Sequence, residues 1–543
     1  MNMLGRFGQR MATPRDAASP PAPALILCNW AAMILAGLFN YLNAVPYSLT
    51  AVDTLISSAL LVLGVAPLAW LQWHFPNRLI YALLTGIMVG LFVDLNDMPV
   101  LAAAMLVPGL AILAYVFPRE AARLCAAIMG TVFVWQCITP WTRATVPDAD
   151  WSVKASDRPA LLHIILDSYT GPEGLALQGE MGAQARLSLK KLADDHGLWV
   201  APRAFGRHPN TVNSLPEILS LAEFPAPAHP MRTNRLILPE LPYLTGLGKL
   251  GYAVHVVQTD FIDLCRYNEV RSCRTVNRSD LSAMAAFGLP MVDRVQVILS
   301  NYLNFSALTA IAAGDLISIS HWLGYSDERP LYLRAKLFSV TGAHELDRLA
   351  SRISTIAPGN ALIVHVLMPH DPYSFDENCA LTPFSAWQYE ETGPHWRKAL
   401  AAYDRQLVCA NRKIGKVIAQ FRRSSGGRNG LVVIHGDHGS RIARDDVLFK
   451  PGARPSHDAV ISHYSALFAV SAAPLKLSPA GEADSAQPRA VSGLLRALLN
   501  SDFTRLTPVG ADEGRILLAD ENWQPRQAIG VAEPNVAVRN KAD

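Results

Sequence analysis

The sequence predicts a five-helix transmembrane N-terminal domain followed by an α/β domain whose mainly parallel sheet lies between helices. Three observations predict it. Five long apolar runs crowd the first 142 residues, strand-like and helix-like stretches alternate from 160 to about 475, and several strand-like runs end on Asp or lead into a His. The chain has 543 residues, half of them hydrophobic and 17% charged, and is too long for one ordinary domain.

Residues Ala24–Val52, Thr54–Trp73, Leu79–Val93, Val100–Phe117 and Leu124–Thr142 contain no Asp, Glu, Lys or Arg. Each run approaches the roughly 20 residues that cross a bilayer. Spans are therefore expected at about 24–45, 52–73, 79–95, 99–117 and 121–141, making 1–141 a membrane anchor. Arg6, Arg10 and Arg15 precede the first span, Arg78 lies between the second and third, and Arg119 and Arg123 lie between the fourth and fifth. The other loops carry Asp53, Asp94 and Asp97 and no Lys or Arg. This alternation predicts a cytoplasmic N-terminus, and an odd number of crossings puts the rest of the chain outside. The first run is long, lacks a convincing cleavage site and is followed by further spans, so it reads as an anchor.

Residues 142–159 are polar, hold Pro147 and Pro159, and read as a linker. The expected domain covers 160–522. Strands are expected at Leu161–Leu166, Ala253–Val257, Ala361–Leu367, Leu431–Ile434 and Ala466–Val470, with helices such as Ala183–His196 and His395–Phe421 between them. Such alternation implies a parallel sheet covered on both faces. Residues 280–325 are apolar and weakly charged; core helices or a lid are expected there, with a surface lying on the bilayer as the alternative. A helix near Ala490–Leu499 and a poorly ordered tail, 523–543, complete the chain.

Four of the seven cysteines, Cys265, Cys273, Cys379 and Cys409, fall in the outer portion. An even number there fits disulfides; Cys265 and Cys273 flank a short polar loop, but three connectivities stay open. No CxxC zinc spacing occurs, and the net charge of +3 points to no nucleic-acid partner.

The candidate chemistry sits at strand ends, where α/β sheets collect ligands. LLHIILDSYT is a buried strand ending on Asp167. GLVVIHGDHG is another, ending on Asp437 and His438, a carboxylate and an imidazole that suit zinc or manganese. In FGRHPNTVNSLPEILS, Thr211 stands at a helix start, whose free N–H groups attract anions; a hydroxyl held there beside a metal can become a nucleophile. In VHVLMPHDPYSF, His370 can hold an oxyanion or protonate a leaving group, whereas His365 reads as a core residue.

The order strand-Asp167, Thr-x-x-Ser-Leu-Pro at 211–216, His-x-Pro-Tyr at 370–373 and Gly-Asp-His-Gly at 436–439 resembles the alkaline phosphatase/sulfatase superfamily. Within it the chain resembles the membrane-anchored branch of phosphoethanolamine transferases and lipoteichoic acid synthases. The resemblance implies an alkaline-phosphatase-like (sulfatase-like) domain. It also implies one catalytic zinc or manganese ion on Asp167, Thr211, Asp437 and His438, with Thr211 also the nucleophile. His370 would contact the transferred group; His457 and His463 compete for a further substrate-binding role, and His463 matches slightly better.

The sequence departs from the sulfatase pattern where Ser168 replaces a second Asp, and where Ile218 replaces the Arg of C/S-x-P-x-R. Both departures argue against sulfate ester hydrolysis. Asp167 stands where lipid-A transferases usually have Glu, and the His-Asp-Pro-Tyr loop is closer to the sulfatase form. The implied activity is transfer of phosphoethanolamine or phosphoglycerol from a membrane phospholipid, through phosphothreonine at Thr211, to an envelope glycan or lipid. The implied location is the bacterial inner (plasma) membrane, with the catalytic domain periplasmic or extracellular. A sulfatase-like hydrolase, either a phosphodiesterase or a sulfuric ester hydrolase, is the alternative.

Overall fold

The computed structural model describes residues 21–530 apart from 46, 76, 97, 99, 143–149, 222–240, 261, 304–335, 390–394, 445–454, 472–475, 478–486, 507–514 and 520–524. The expected linker's residues 143–149, the 304–325 part of the apolar stretch and the end of the tail, 531–543, lie outside the described residues. The chain forms two compact units: Met1–Thr145 with Pro290–Ala335, and Val146–Leu289 with Lys336–Asp543.

In the first unit the five apolar runs form helices α1 (Pro23–Ala44), α2 (Val52–His74), α3 (Arg78–Leu95), α4 (Val100–Val116) and α5 (Pro118–Thr142). Four of them are long and apolar enough to cross a membrane. The expected fourth span is the exception: α4 has 17 residues, and a helix rising 1.5 Å per residue then covers about 26 Å of a roughly 30 Å core. Polar side chains tie the bundle together. Trp30 Nε1 donates to Gln72 Oε1 at 2.8 Å, Gln72 Nε2 to Thr85 Oγ1 at 2.8 Å, and Asn43 Nδ2 to Gln136 Oε1 at 3.0 Å. Small donors and acceptors turned inward are a common means of joining helices in lipid.

Of the stretch 280–325, expected as core helices or a lid with a surface on the bilayer as the alternative, the part from Pro290 groups with this bundle. Its described part is the helix Met291–Leu303, which pairs Arg294 with Asp53 and donates from Tyr302 to a carbonyl of α1.

The second unit is a sheet sandwiched by helices. Its strands are β1 (Leu161–Leu166), β2 (Leu198–Val200), β4 (Ala253–Thr259), β5 (Val270–Val276), β6 (Asn360–Val366), β7 (Leu431–Gly436) and β8 (Phe468–Ser471); β3 (Ala204–Phe205) stands apart. The seven lie in the order β2-β8-β7-β1-β6-β4-β5. β1, β6, β7, β4 and β5 run parallel, while β8 runs antiparallel to β7 and β2. β1, β6 and β7 are buried along their whole length, which is why they read as unbroken apolar runs.

Leu161, Ile165, Ile363 and Val433 pack on one face against Leu215, Leu244, Leu247 and Leu498 from helices of that face. The long helix Trp396–Arg423 packs beside α7 (Ala183–His196) and the helix Phe338–Arg352; between β1 and α7 lies the short α6 (Pro172–Leu177). The disulfides are Cys265–Cys273 and Cys379–Cys409, the sequential pairing among the three that the sequence left open. Part of the tail expected to be poorly ordered is a strand. Pro525–Gly530 pairs antiparallel with Arg515–Ala519, whose Ile516 and Leu518 are buried and give that hairpin an apolar anchor.

Candidate metal centre

The register of two parallel strands brings the first pair of candidate residues together. Leu166 of β1 lies beside Gly436 of β7, so the next residue on each strand, Asp167 and Asp437, emerges at the same carboxyl end. Two glycines permit the approach. A Cβ on Gly436 would stand 2.3 Å from the Tyr169 carbonyl oxygen, and one on Gly206 would stand 2.2 Å from that of Asp437. Ser168, left-handed at φ 64°, turns the chain so that its N–H donates to Asp437 Oδ1 at 3.0 Å.

Thr211 is the first residue of α8 (Thr211–Ser220), capped by Asn210, whose side chain accepts from the Asn213 N–H at 2.9 Å. The Thr211 hydroxyl donates to Asp167 Oδ2 at 3.0 Å and lies 3.4 Å from His438 Nε2. His438 Nδ1 donates to the Gly439 carbonyl at 2.8 Å, which leaves Nε2 as a lone pair 3.4 Å from Asp167 Oδ1 and 3.6 Å from Asp437 Oδ2. Asp167, Asp437 and His438 each offer a ligand atom within 4.8 Å of the others, and all three are fully buried.

These residues fit a divalent cation. Asp437 Oδ1 is satisfied by two backbone N–H groups, but the buried Oδ2 has no hydrogen-bond partner. Burial and the neighbouring Asp167 push the Asp437 carboxyl well above the usual range. For Asp167 burial acts in the same direction, yet the neighbouring His370, then His438, His365 and the Arg441 guanidinium outweigh it and hold the carboxyl below its ordinary value. Burial, reinforced by Arg441, lowers His438 to about 3, so its imidazole is neutral and can ligate. Two buried carboxylates facing a neutral imidazole and a hydroxyl are a donor set in want of a cation.

His370 comes from the loop after β6. Gln406, on the long helix, holds that loop: it donates to the Pro369 and His370 carbonyls at 2.9 and 3.1 Å and accepts from the Ser374 N–H at 2.9 Å. His370 Nδ1 lies 2.6 Å from Asp371 Oδ1, and Lys336 Nζ pairs with Asp371 Oδ2 at 2.8 Å. The other ring nitrogen, Nε2, accepts from Arg441 Nη2 at 3.1 Å and lies 4.0 Å from Asp167 Oδ1. Asp371 is held below the usual carboxylate range: burial opposes this, but His370 and Lys336 prevail.

Of the two later histidines, His463 is buried, donates from Nδ1 to the Ala459 carbonyl at 2.9 Å, and is lowered to about 3 by burial. Its own carbonyl accepts from Gly439 N–H at 2.9 Å, which ties it to the Asp437–His438 turn. His457 begins the same helix, about 9 Å away along its axis.

The structure thus brings Asp167, Thr211, Asp437 and His438 together, with His370 at their edge and His463 beside the turn. Arg441, Asp371, Lys336 and Gln406 had no assigned role in the sequence reading. The available signal for Arg441 was its place three residues after His438 in GDHGSR; Lys336 and Gln406 carry no local pattern.

Residues 347–466 match the family model described as Sulfatase. No curated protein matches the chain. Among solved structures, it is similar to the C-terminal periplasmic domain of EcEptC from Escherichia coli in complex with Zn, at 14% identity over 70% of this chain and 94% of that one, TM-score 0.40. It is also similar to the C-terminal periplasmic domain of phosphoethanolamine transferase EptC from Campylobacter jejuni, at 13% identity, 64% and 89% coverage and TM-score 0.36. A 2-O GAG sulfatase is similar at 12% identity, 67% and 79% coverage and TM-score 0.37. The matched segment contains His370, Asp437, His438 and His463, so over 347–466 the chain is similar to the sulfatase family.

Proposed function

We propose that the protein is a metal-dependent transferase that moves a phosphoethanolamine or phosphoglycerol group from a membrane phospholipid to an envelope glycan or lipid. The observation that carries this reading is the Thr211 hydroxyl, held between Asp167 Oδ2 and His438 Nε2 at the start of α8. A zinc or manganese ion on Asp167, Thr211, Asp437 and His438 would supply charge neutralisation at the threonine oxygen and the phosphoryl oxygens.

Thr211 Oγ1 gives up its proton and attacks the donor phosphorus. The bond to diacylglycerol breaks, and diacylglycerol leaves as the free alcohol. An acceptor hydroxyl then attacks the phosphothreonine, and the Thr211 oxygen recovers its proton. Arg441 and His370, with His463 behind the turn, hold the non-bridging oxygens. Helices α1–α5, read as five crossings with the N-terminus in the cytoplasm of a bacterium, keep the site at the outer face of its inner membrane, where a lipid donor is concentrated. The two disulfides of the second unit fit that oxidising side.

The test is the mass of the tryptic peptide His208–Arg232 from protein purified out of its own membranes. A phosphoethanolamine or phosphoglycerol adduct on Thr211, absent from Thr211→Ala, is the expected result. An unmodified peptide from protein that binds metal and cleaves soluble diesters would replace the transferase with a hydrolase. The sulfatase family model over 347–466 favours that second reading.

A further inference from the structure

The helix Met291–Leu303 is inserted between β5 and β6 in the sequence, yet its side chains bind elements of the membrane bundle. Near its start, Arg294 Nε lies 3.3 Å from Oδ2 of Asp53, a residue 1% exposed at the beginning of α2. Asp53 is also held by the Tyr47 hydroxyl at 2.6 Å. Near its end, the hydroxyl of the fully buried Tyr302 donates to the Ile34 carbonyl at 2.9 Å. Ile34 lies ten residues before Ala44, the end of α1, and so about 15 Å down that helix, half of a roughly 30 Å bilayer core. A tyrosine side chain is too short to reach that depth from outside, so the helix itself descends.

The sequence of the helix suits the descent. Asp293 and Arg294 lie in its first turn, and Val295–Leu303 carries no Asp, Glu, Lys or Arg. Arg294 is paired with the buried Asp53, as charges at membrane depth must be. Gly37 of α1 makes room: a Cβ there would stand 2.9 Å from the Tyr302 hydroxyl and 2.7 Å from Leu95 Cβ.

We propose that Met291–Leu303 is a re-entrant membrane segment. It enters the bilayer from the side where α1 ends and α2 begins, lies along them, and turns Leu299 and Leu303 toward lipid acyl chains.

The experiment uses the full chain in phosphatidylethanolamine/phosphatidylglycerol vesicles, with Cys28, Cys125 and Cys137 replaced by alanine. Leu299→Cys, Leu303→Cys and a control on exposed α7, Leu187→Cys, are compared. A membrane-impermeant maleimide is expected to label 299 and 303 roughly tenfold or more slowly than 187. A fluorophore attached in detergent before reconstitution should be quenched by acyl-brominated lipid at 299 and 303 and not at 187. Labelling at the control rate without quenching overturns the proposal, and so does protection without quenching, which would bury the helix in protein alone. Gly37→Val should weaken the quenching at 299 by displacing Tyr302. Should that variant not reach the membrane, Tyr302→Phe serves the same purpose.

Discussion

At the scale of single residues the site is a set of buried carboxylates and imidazoles around one hydroxyl. Thr211 has its hydroxyl on one carboxylate and beside one imidazole, so Thr211→Ala should abolish transfer, while Thr211→Ser keeps a hydroxyl and should retain measurable turnover. Metal content by elemental analysis should be largely kept in Thr211→Ala, because the Asp167, Asp437 and His438 ligand atoms remain. Arg441 donates to His370 and faces the same cluster, and its removal should lower the rate about 10²-fold, the usual cost of one anion-stabilising donor. Arg441→Ala with an unchanged rate would remove it from the machinery.

Acid should act on stability through other rings. His208, His365 and His435 are each pushed by burial to about 4, against 6.5 in an unfolded chain. The unfolded state then binds more protons between pH 4 and 6.5, so stability is full above about 6.5 and falls as pH drops toward 4. A denaturant midpoint that stays flat between pH 7 and 5 would contradict this.

At the scale of elements, strand ends and helix starts set the geometry. The parallel register of β1 and β7 aligns Asp167 with Asp437, and α8 delivers Thr211 from its first turn. The runs of β1, β6 and β7 were legible because buried parallel strands are apolar throughout, and their ends were found to within two residues. The edge strand β5 was not expected, since VRSCRTV is polar, only its last residue is buried, and it resembles a loop. Gln406 was equally hidden: it lies on a helix whose pattern reports only which face is buried, while its partners are loop backbone groups more than 30 residues away. Gln406→Ala should strand two carbonyls and two N–H groups and cost about 3 kcal/mol of stability. It should also slow transfer by loosening His370, a loss that a merely stabilising residue would not show once the protein is kept folded at low temperature.

At the scale of the whole molecule, the long apolar helices lie in the first unit and the sheet with the candidate metal centre in the second. Reporters fused after residues 45 and 96 should be active outside the cell, and those after 76 and 117 inside; any other pattern changes the number of crossings. Reduction of Cys379–Cys409, which closes a 30-residue separation, should lower stability by about 3–4 kcal/mol in a thermal or denaturant melt.

What the sequence determined alone was local. Charge-free length marks the apolar helices, unbroken apolar runs mark the central strands, and the order of the Asp, Thr, His and Asp-His motifs carries the sulfatase-like resemblance. Those signals are written in neighbouring residues, because hydropathy and period need only a short window. The tertiary structure decided what joins residues hundreds of positions apart. It set Arg441 on His370 and Gln406 under the histidine loop. It also sent the apolar stretch after 290 to the membrane helices, where Asp53 takes the charge of Arg294 and the Ile34 carbonyl takes the hydroxyl of Tyr302. An apolar helix states that it must be buried; only its polar partners state against what.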